Sequence, residues 1–152
     1  MKLLVATVGK LRDPNLKALA TDYRQRIQRY VNLQSVEVRE GRGDASNRCG
    51  EEATELTRAA TGFAIRYVLD ERGTQITSRD FAARFERHMN RGETEIAFLL
   101  GGAYGHAEST RAAASFVLAL SPMTLPHELA AVVTLEQIYR AFTILRGEPY
   151  HK

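Results

Sequence analysis

One cysteine in 152 residues, Cys49, excludes a disulfide framework and a cysteine-rich metal cluster within the chain. No apolar run approaches the roughly 20 residues that a membrane-spanning helix needs. The four histidines (His88, His106, His127, His151) are scattered, with neither HxH nor HExxH spacing, so no metal site is expected. There is no Gly-x-Ser-x-Gly nucleophile elbow, and no Lys-Ser/Thr follows a glycine-rich loop as a Walker motif requires. No repeat, linker or low-complexity stretch divides the chain, which reads as one domain over residues 1–152. Residues 1–9 hold one Lys and a short apolar run with no cleavage-site pattern after it. They read as a first strand, not a signal peptide, and a cytoplasmic protein is expected.

What is present is ordinary globular composition, 44% hydrophobic and 26% charged, on a chain long enough for a sizeable core. The net charge of +3 is unevenly spread: residues 1–50 carry ten Lys/Arg against five Asp/Glu, a local excess of +5. Lysine is scarce, 4 residues against 17 arginines. Arginine suits bidentate phosphate contacts and stacking on bases, so Arg24, Arg26, Arg29, Arg39, Arg42 and Arg48 are candidate phosphate contacts. The same residues also suit solvated helix faces.

Strand and helix signals alternate. Lys2–Val8 is apolar and ends at Gly9; Asp13-Pro14 reads as a helix start, followed by Leu16, Leu19, Tyr23, Ile27 and Tyr30 at helical spacing. Leu33–Arg39 reads as a second strand, Glu40–Gly50 as a glycine-rich basic loop and Glu51–Ala60 as a short helix. Phe63–Leu69 is a third strand, and Ser78 is expected to cap a helix through Asn90. Glu95–Leu100 is a fourth strand, His106–Ala114 a short helix and Ser115–Leu120 a fifth strand. Leu129–Arg146 closes the chain as a long helix. The alternation predicts an α/β fold, a mostly parallel sheet with helices on both faces. The closing helix confines its polar residues Glu136, Gln137, Arg140 and Thr143 to one stripe. Its wide apolar remainder fits either a central core helix or a subunit interface.

In open α/β sheets ligands bind beyond the carboxyl ends of the strands. Three such ends stand out: Leu69-Asp70, Gly101–Gly105 and Ser121–His127. Gly101–Gly105 fits a close backbone approach to a ligand, or only a tight turn. Ser121–Pro126 carries no charge but offers rigid main-chain donors and acceptors, which suits an adenine ring. His127 fits a helix start or a pocket wall. Cys49 and His88 read as incidental, His88 as a surface helix residue.

The segments LLGGAYGH and LSPMTLPHELAAVVTLEQIYRAFTILRGEPYHK resemble the RlmH family of SPOUT methyltransferases, and the opening KLLVATVGKL is similar to that family's first strand. The likeness spans the chain and is densest over residues 99–152. It implies a C-terminal trefoil knot, S-adenosylmethionine as cofactor at Leu69, Gly102, Ser121, Pro122, Met123, Thr124, Leu125 and Pro126, and a homodimer through the closing helix. It implies as substrate a pseudouridine in helix 69 of 23S ribosomal RNA, methylated at N3 on the assembled ribosome. Tyr150 and His151 are then expected near the partner's active site, with His151, Tyr150 and Arg140 as the catalytic set. One departure stands out: the family often has Arg where this chain has Ala131, and Arg140 is the candidate to take its role. The alternative is a non-catalytic ribosome- or RNA-binding protein that keeps the knotted fold.

Overall fold

The computed structural model describes all residues, Met1 to Lys152. The chain runs β1 (Lys2–Val8), α1 (Pro14–Ile27), β2 (Asn32–Val38), α2 (Ala45–Ala59), β3 (Ile65–Gln75), α3 (Ser78–Asn90), β4 (Glu95–Leu100), α4 (Glu108–Ala112), β5 (Phe116–Ala119) and α5 (His127–Leu145). The expected α/β alternation is what forms. All neighbouring strands are parallel, in the order β2-β1-β4-β3-β5.

The sheet separates two apolar layers, which is why its central strands read as unbroken hydrophobic runs. On one face Leu3, Val5, Ile96, Phe98 and Leu100 meet α1, α3 and α5; on the other Leu4, Ala6, Val8, Ala97 and Leu99 meet Leu56 of α2 and Phe63. The first layer is fixed by aromatic contacts. Phe98 is fully buried, with the rings of Tyr67, Phe81 and Phe85 centred 5.1, 6.0 and 6.0 Å away. Each such pair adds about 0.5–1.5 kcal/mol beyond area burial.

Several boundaries differ from the sequence expectation for identifiable reasons. Glu40–Gly50 is not all loop: α2 starts at Ala45, because Asp44 caps it by accepting from the Asn47 amide at 2.9 Å. Gly41 lies so close to the first turn of α2 that a Cβ there would stand 2.5 Å from the Arg48 carbonyl oxygen. Thr77, not Ser78, caps α3, and the Ser78 hydroxyl instead donates to Gln137 Oε1 at 2.7 Å. β3 continues past Leu69 to Gln75 through an irregularity between Leu69 and Thr74. Gly73 permits this, since a Cβ there would lie 2.7–2.8 Å from the backbone of Val117–Ala119. His88 is not a surface residue: its Nε2 lies 2.8 Å from the Tyr67 hydroxyl and its Nδ1 2.6 Å from Glu93.

The breadth of the apolar surface on α5 is taken up within one chain. α1 packs along one flank and α3 along the other. Ala131, Val132, Leu135, Ile138, Ala141 and Phe142 are all buried in the shared core. Ala131 itself is 3% exposed and serves packing.

Candidate active site

The carboxyl ends of β3, β4 and β5 open into a cleft of about 710 Å³. Its floor comes from Leu100, the last residue of β4, with Leu69 of β3, where the register of that strand shifts, and Leu118 of β5. One lip is the turn after β4, where the Gly105 amide donates to the Gly102 carbonyl at 3.1 Å. Gly101 and Gly102 are glycines by necessity. A Cβ on Gly101 would stand 2.7 Å from the Gly105 oxygen, and one on Gly102 3.0 Å from Val8 and 3.1 Å from the Glu52 carboxylate. The turn is thus packed too closely against its neighbours to take side chains at these two positions without a shift.

The opposite wall is Ser121–Pro126, which brings main-chain groups and hydroxyls but no charge. Met123 donates its amide to Ser121 Oγ at 2.9 Å, and the Thr124 hydroxyl donates to Glu71 at 3.0 Å. Of the residues expected here, Leu69, Gly102, Ser121, Met123, Thr124, Leu125 and Pro126 all line the cleft. Pro122 does not. His127 is both of its alternatives, the first residue of α5 and part of the lining.

The sequence marked Asp70 only as part of a strand end and did not place Arg111, His106 or Glu52 at this site. Asp70, at the irregularity within β3, pairs with Arg111 of α4 at 3.1 Å, and the Arg111 guanidinium also donates to the His106 carbonyl at 2.6 Å. Burial opposes ionisation of Asp70, but the Arg72 amide and the Arg111 guanidinium outweigh it and hold the carboxyl below its usual range. His106 is buried beside them, and burial pushes its pKa down against the pull of Asp70. Glu52 of α2 is buried behind the glycine turn, with Oε1 accepting from the Gly41 amide at 3.0 Å and Oε2 unpartnered. No spacing rule links residues 52, 70, 106 and 111, which only the fold brings to one end of the sheet.

The expected catalytic residues form a separate cluster. Arg140 donates through Nε and Nη2 to Glu136 Oε1 at 3.0 and 2.5 Å, the i,i+4 pair anticipated on α5. The chain end folds back along that helix. Tyr150 donates to the same Glu136 oxygen at 3.0 Å, its ring lies 4.6 Å from the Arg140 guanidinium, and His151 Nδ1 is 3.4 Å from Arg140 Nη1. Tyr23 of α1, unforeseen from the sequence, stands 3.3 Å from the Tyr150 hydroxyl. Burial, then the hydrogen bonds to Tyr23 and Glu136, push the Tyr150 hydroxyl well up, so it stays protonated. None of Arg140, Tyr150 or His151 lines the cleft. Arg140 lies thirteen residues along α5 from His127, about 20 Å at 1.5 Å per residue.

Two of the six candidate phosphate contacts stand beside these clusters. Arg26 pairs with Asp22 and lies over the Tyr23 and Tyr139 rings beside the chain end. Arg48 lies over the Tyr104 ring at the lip of the cleft.

A parallel sheet with a glycine-lipped, main-chain-walled cleft at its carboxyl edge defines an α/β protein with a ligand-sized cleft at its strand ends. The chain belongs to the SPOUT methyltransferases: the family model described as "Predicted SPOUT methyltransferase" matches residues 1–151. It is 44% identical over 155 residues to the ribosomal RNA large subunit methyltransferase H of Anaeromyxobacter dehalogenans, covering 100% of both chains. It is 43% identical over 152 residues to the protein of that name from Geobacter metallireducens, covering 99% of each. Among solved structures, a probable methylase family protein from Haemophilus influenzae shares the fold, with a TM-score of 0.62 at 11% identity over 99% of this chain and 70% of that one. No helix of the chain is long and apolar enough to cross a membrane.

Proposed function

We propose that this protein methylates N3 of a pseudouridine in helix 69 of 23S ribosomal RNA on the assembled ribosome, in the cytoplasm, as a homodimer that uses S-adenosylmethionine. The relatives' names support a large-subunit ribosomal RNA substrate, and the resemblance noted in the sequence narrows it to the nucleotide. The family also implies the trefoil knot.

The cleft fits the cofactor. Ser121–Pro126 would receive the adenine through main-chain groups, and the bare backbone of Gly101–Gly102 would lie along the rest. Bound there, S-adenosylmethionine supplies an electrophilic methyl group for in-line transfer, and catalysis is mostly positioning.

The observation that carries the reading is the distance between the cleft and the Arg140–Tyr150–His151 cluster. One chain does not bring them together, and a second copy docked through α5 supplies its cluster to the neighbouring cleft. The dimer thus rests on an incomplete site, not on surplus apolar area. Neutral His151 takes the N3 proton, directly or through water. Arg140 stabilises the negative charge left on the uracil ring. Tyr150, held protonated, orients the base.

The test is incubation with methyl-labelled S-adenosylmethionine and ribosomes lacking the modification, then mass spectrometry of RNA fragments. Label on one helix 69 pseudouridine is expected. Cofactor binding without label refutes the reaction and favours a binding-only protein.

A further inference from the structure

Tyr104 sits at the tip of the glycine turn, 57% exposed, and its hydroxyl makes no hydrogen bond within the chain. An aromatic ring so placed contributes little to the core and carries the cost of exposure. It is nevertheless held firmly. The turn is closed by the Gly105–Gly102 hydrogen bond, with Gly105 at φ +75°. From α2, the Cys49 thiol reaches the Tyr104 and Gly105 carbonyls at 3.7 and 3.8 Å. The Arg48 guanidinium, fixed by donation from Nε to the Gly43 carbonyl at 3.0 Å, lies 5.4 Å from the centre of the Tyr104 ring. Across the cleft mouth, Met123 is 76% exposed on the other wall.

We propose that Tyr104, backed by Arg48, is a stacking platform for an unpaired nucleobase of the RNA that flanks the methylated nucleotide at the mouth of the cleft. The inference rests on the RNA-methyltransferase reading and adds the residues that grip the substrate beside the reacting base. Unpaired bases are held on aromatic and guanidinium planes, and a Tyr–Arg pair supplies both. Charge agrees with that occupant: Arg48 belongs to the basic first third of the chain, and Arg72 lines the same cleft. Of the two acids in that lining, Asp70 is paired with Arg111 and Glu71 accepts from Thr124. The platform stands at the rim, above the floor of Leu69, Leu100 and Leu118, and so serves the larger ligand.

The experiment compares wild type, Tyr104→Ala, Tyr104→Phe and Arg48→Ala in three measurements. These are co-sedimentation with unmodified ribosomes, steady-state methylation of those ribosomes, and calorimetric titration with S-adenosylmethionine. Tyr104→Ala is expected to weaken ribosome binding and raise KM about tenfold, the scale of one lost base–aromatic stack. kcat and the cofactor Kd stay within twofold, Tyr104→Phe restores wild-type values, and Arg48→Ala gives a smaller loss in the same direction. Unchanged ribosome binding and KM in Tyr104→Ala overturns the platform while wild-type methylation upholds the enzyme. A loss confined to cofactor Kd assigns Tyr104 to the cofactor and also overturns it. So does a shift of Tyr104→Ala from dimer to monomer, which would make the ring an interface residue. Absence of ribosome binding and methylation in the wild type defeats the RNA reading and the platform with it.

Discussion

Glu136 Oε1 accepts the Tyr150 hydroxyl at 3.0 Å and also the Nε and Nη2 hydrogens of Arg140, so one carboxylate oxygen fixes the chain end to α5. Its other oxygen accepts from Gln137 at 2.6 Å. Because Tyr150 donates to Glu136, it accepts from Tyr23, which ties the tail to α1 as well. Glu136→Gln keeps the volume but removes the charge that orders Arg140. Small misplacements of positioned groups cost up to about 100-fold in rate. We expect kcat for ribosome methylation to fall at least about tenfold with the cofactor Kd unchanged, read by single-turnover kinetics and calorimetry. An unaltered kcat would reduce Glu136 to a helix-surface residue.

The separation of cleft and tail cluster makes a complementation prediction. A chain truncated before Tyr150 and a chain carrying Gly102→Val should each be inactive, the second because its Cβ meets Val8 and Glu52. Mixed under conditions that exchange subunits, they should recover about a quarter of wild-type activity, since half of random dimers are mixed and each holds one intact site. No recovery, with exchange verified, would mean that each tail serves its own cleft.

Gly73 tests the crossing of β3 on β5. Gly73→Ala places a Cβ 2.7–2.8 Å from three backbone atoms that cannot rotate away. Overpacking of this kind costs about 1–3 kcal/mol. A Tm lower by roughly 3–10 °C should follow in thermal unfolding. Gly50→Ala is the control for the change from glycine to alanine: its Cβ meets nothing within 4 Å and its φ is not in the left-handed region. If Gly73→Ala were as stable as wild type, the close approach would carry no energetic weight.

The alternation of elements was legible because both sheet faces are buried and each central strand is a continuous apolar run, as in Leu3–Val8 and Ile96–Leu100. Helix starts were legible where one side chain does the capping, as Asp13 does for α1. Asp44 gave the same signal but stood among Gly41, Gly43 and Gly50, and glycine content outweighed it. The extension of β3 depends on Gly73 meeting β5, a contact 44 residues away that no local pattern records. The three strand ends could be named from the sequence because ligand clefts follow strand termini. Pro122 fell outside the lining because a run of consecutive loop residues cannot all face one way. Glu52 and His106 went unread, since a buried polar residue looks like a surface one until its neighbours are known.

The Asp70–Arg111 pair makes a prediction about pH. The Asp70 carboxyl is 6% exposed and its partner 15%, so the pair is poorly screened. The folded pKa of Asp70 lies below its unfolded value, so the folded state binds fewer protons there. The stability it confers is full above the unfolded value of about 4 and is lost as pH falls through the lower folded value. Asp70→Asn removes that contribution, while Arg111 keeps Glu108 at 2.7 Å and the His106 carbonyl. Near pH 7 the variant should be less stable by about 1–3 kcal/mol, the range for a hydrogen bond to a charged group. The gap should narrow below about pH 4, where Asp70 of the unfolded wild-type chain begins to take up a proton. Denaturant titrations at pH 7, 5 and 3 measure it. A gap that stays constant from pH 7 to pH 3 would show that Asp70 stabilises by shape and not by charge.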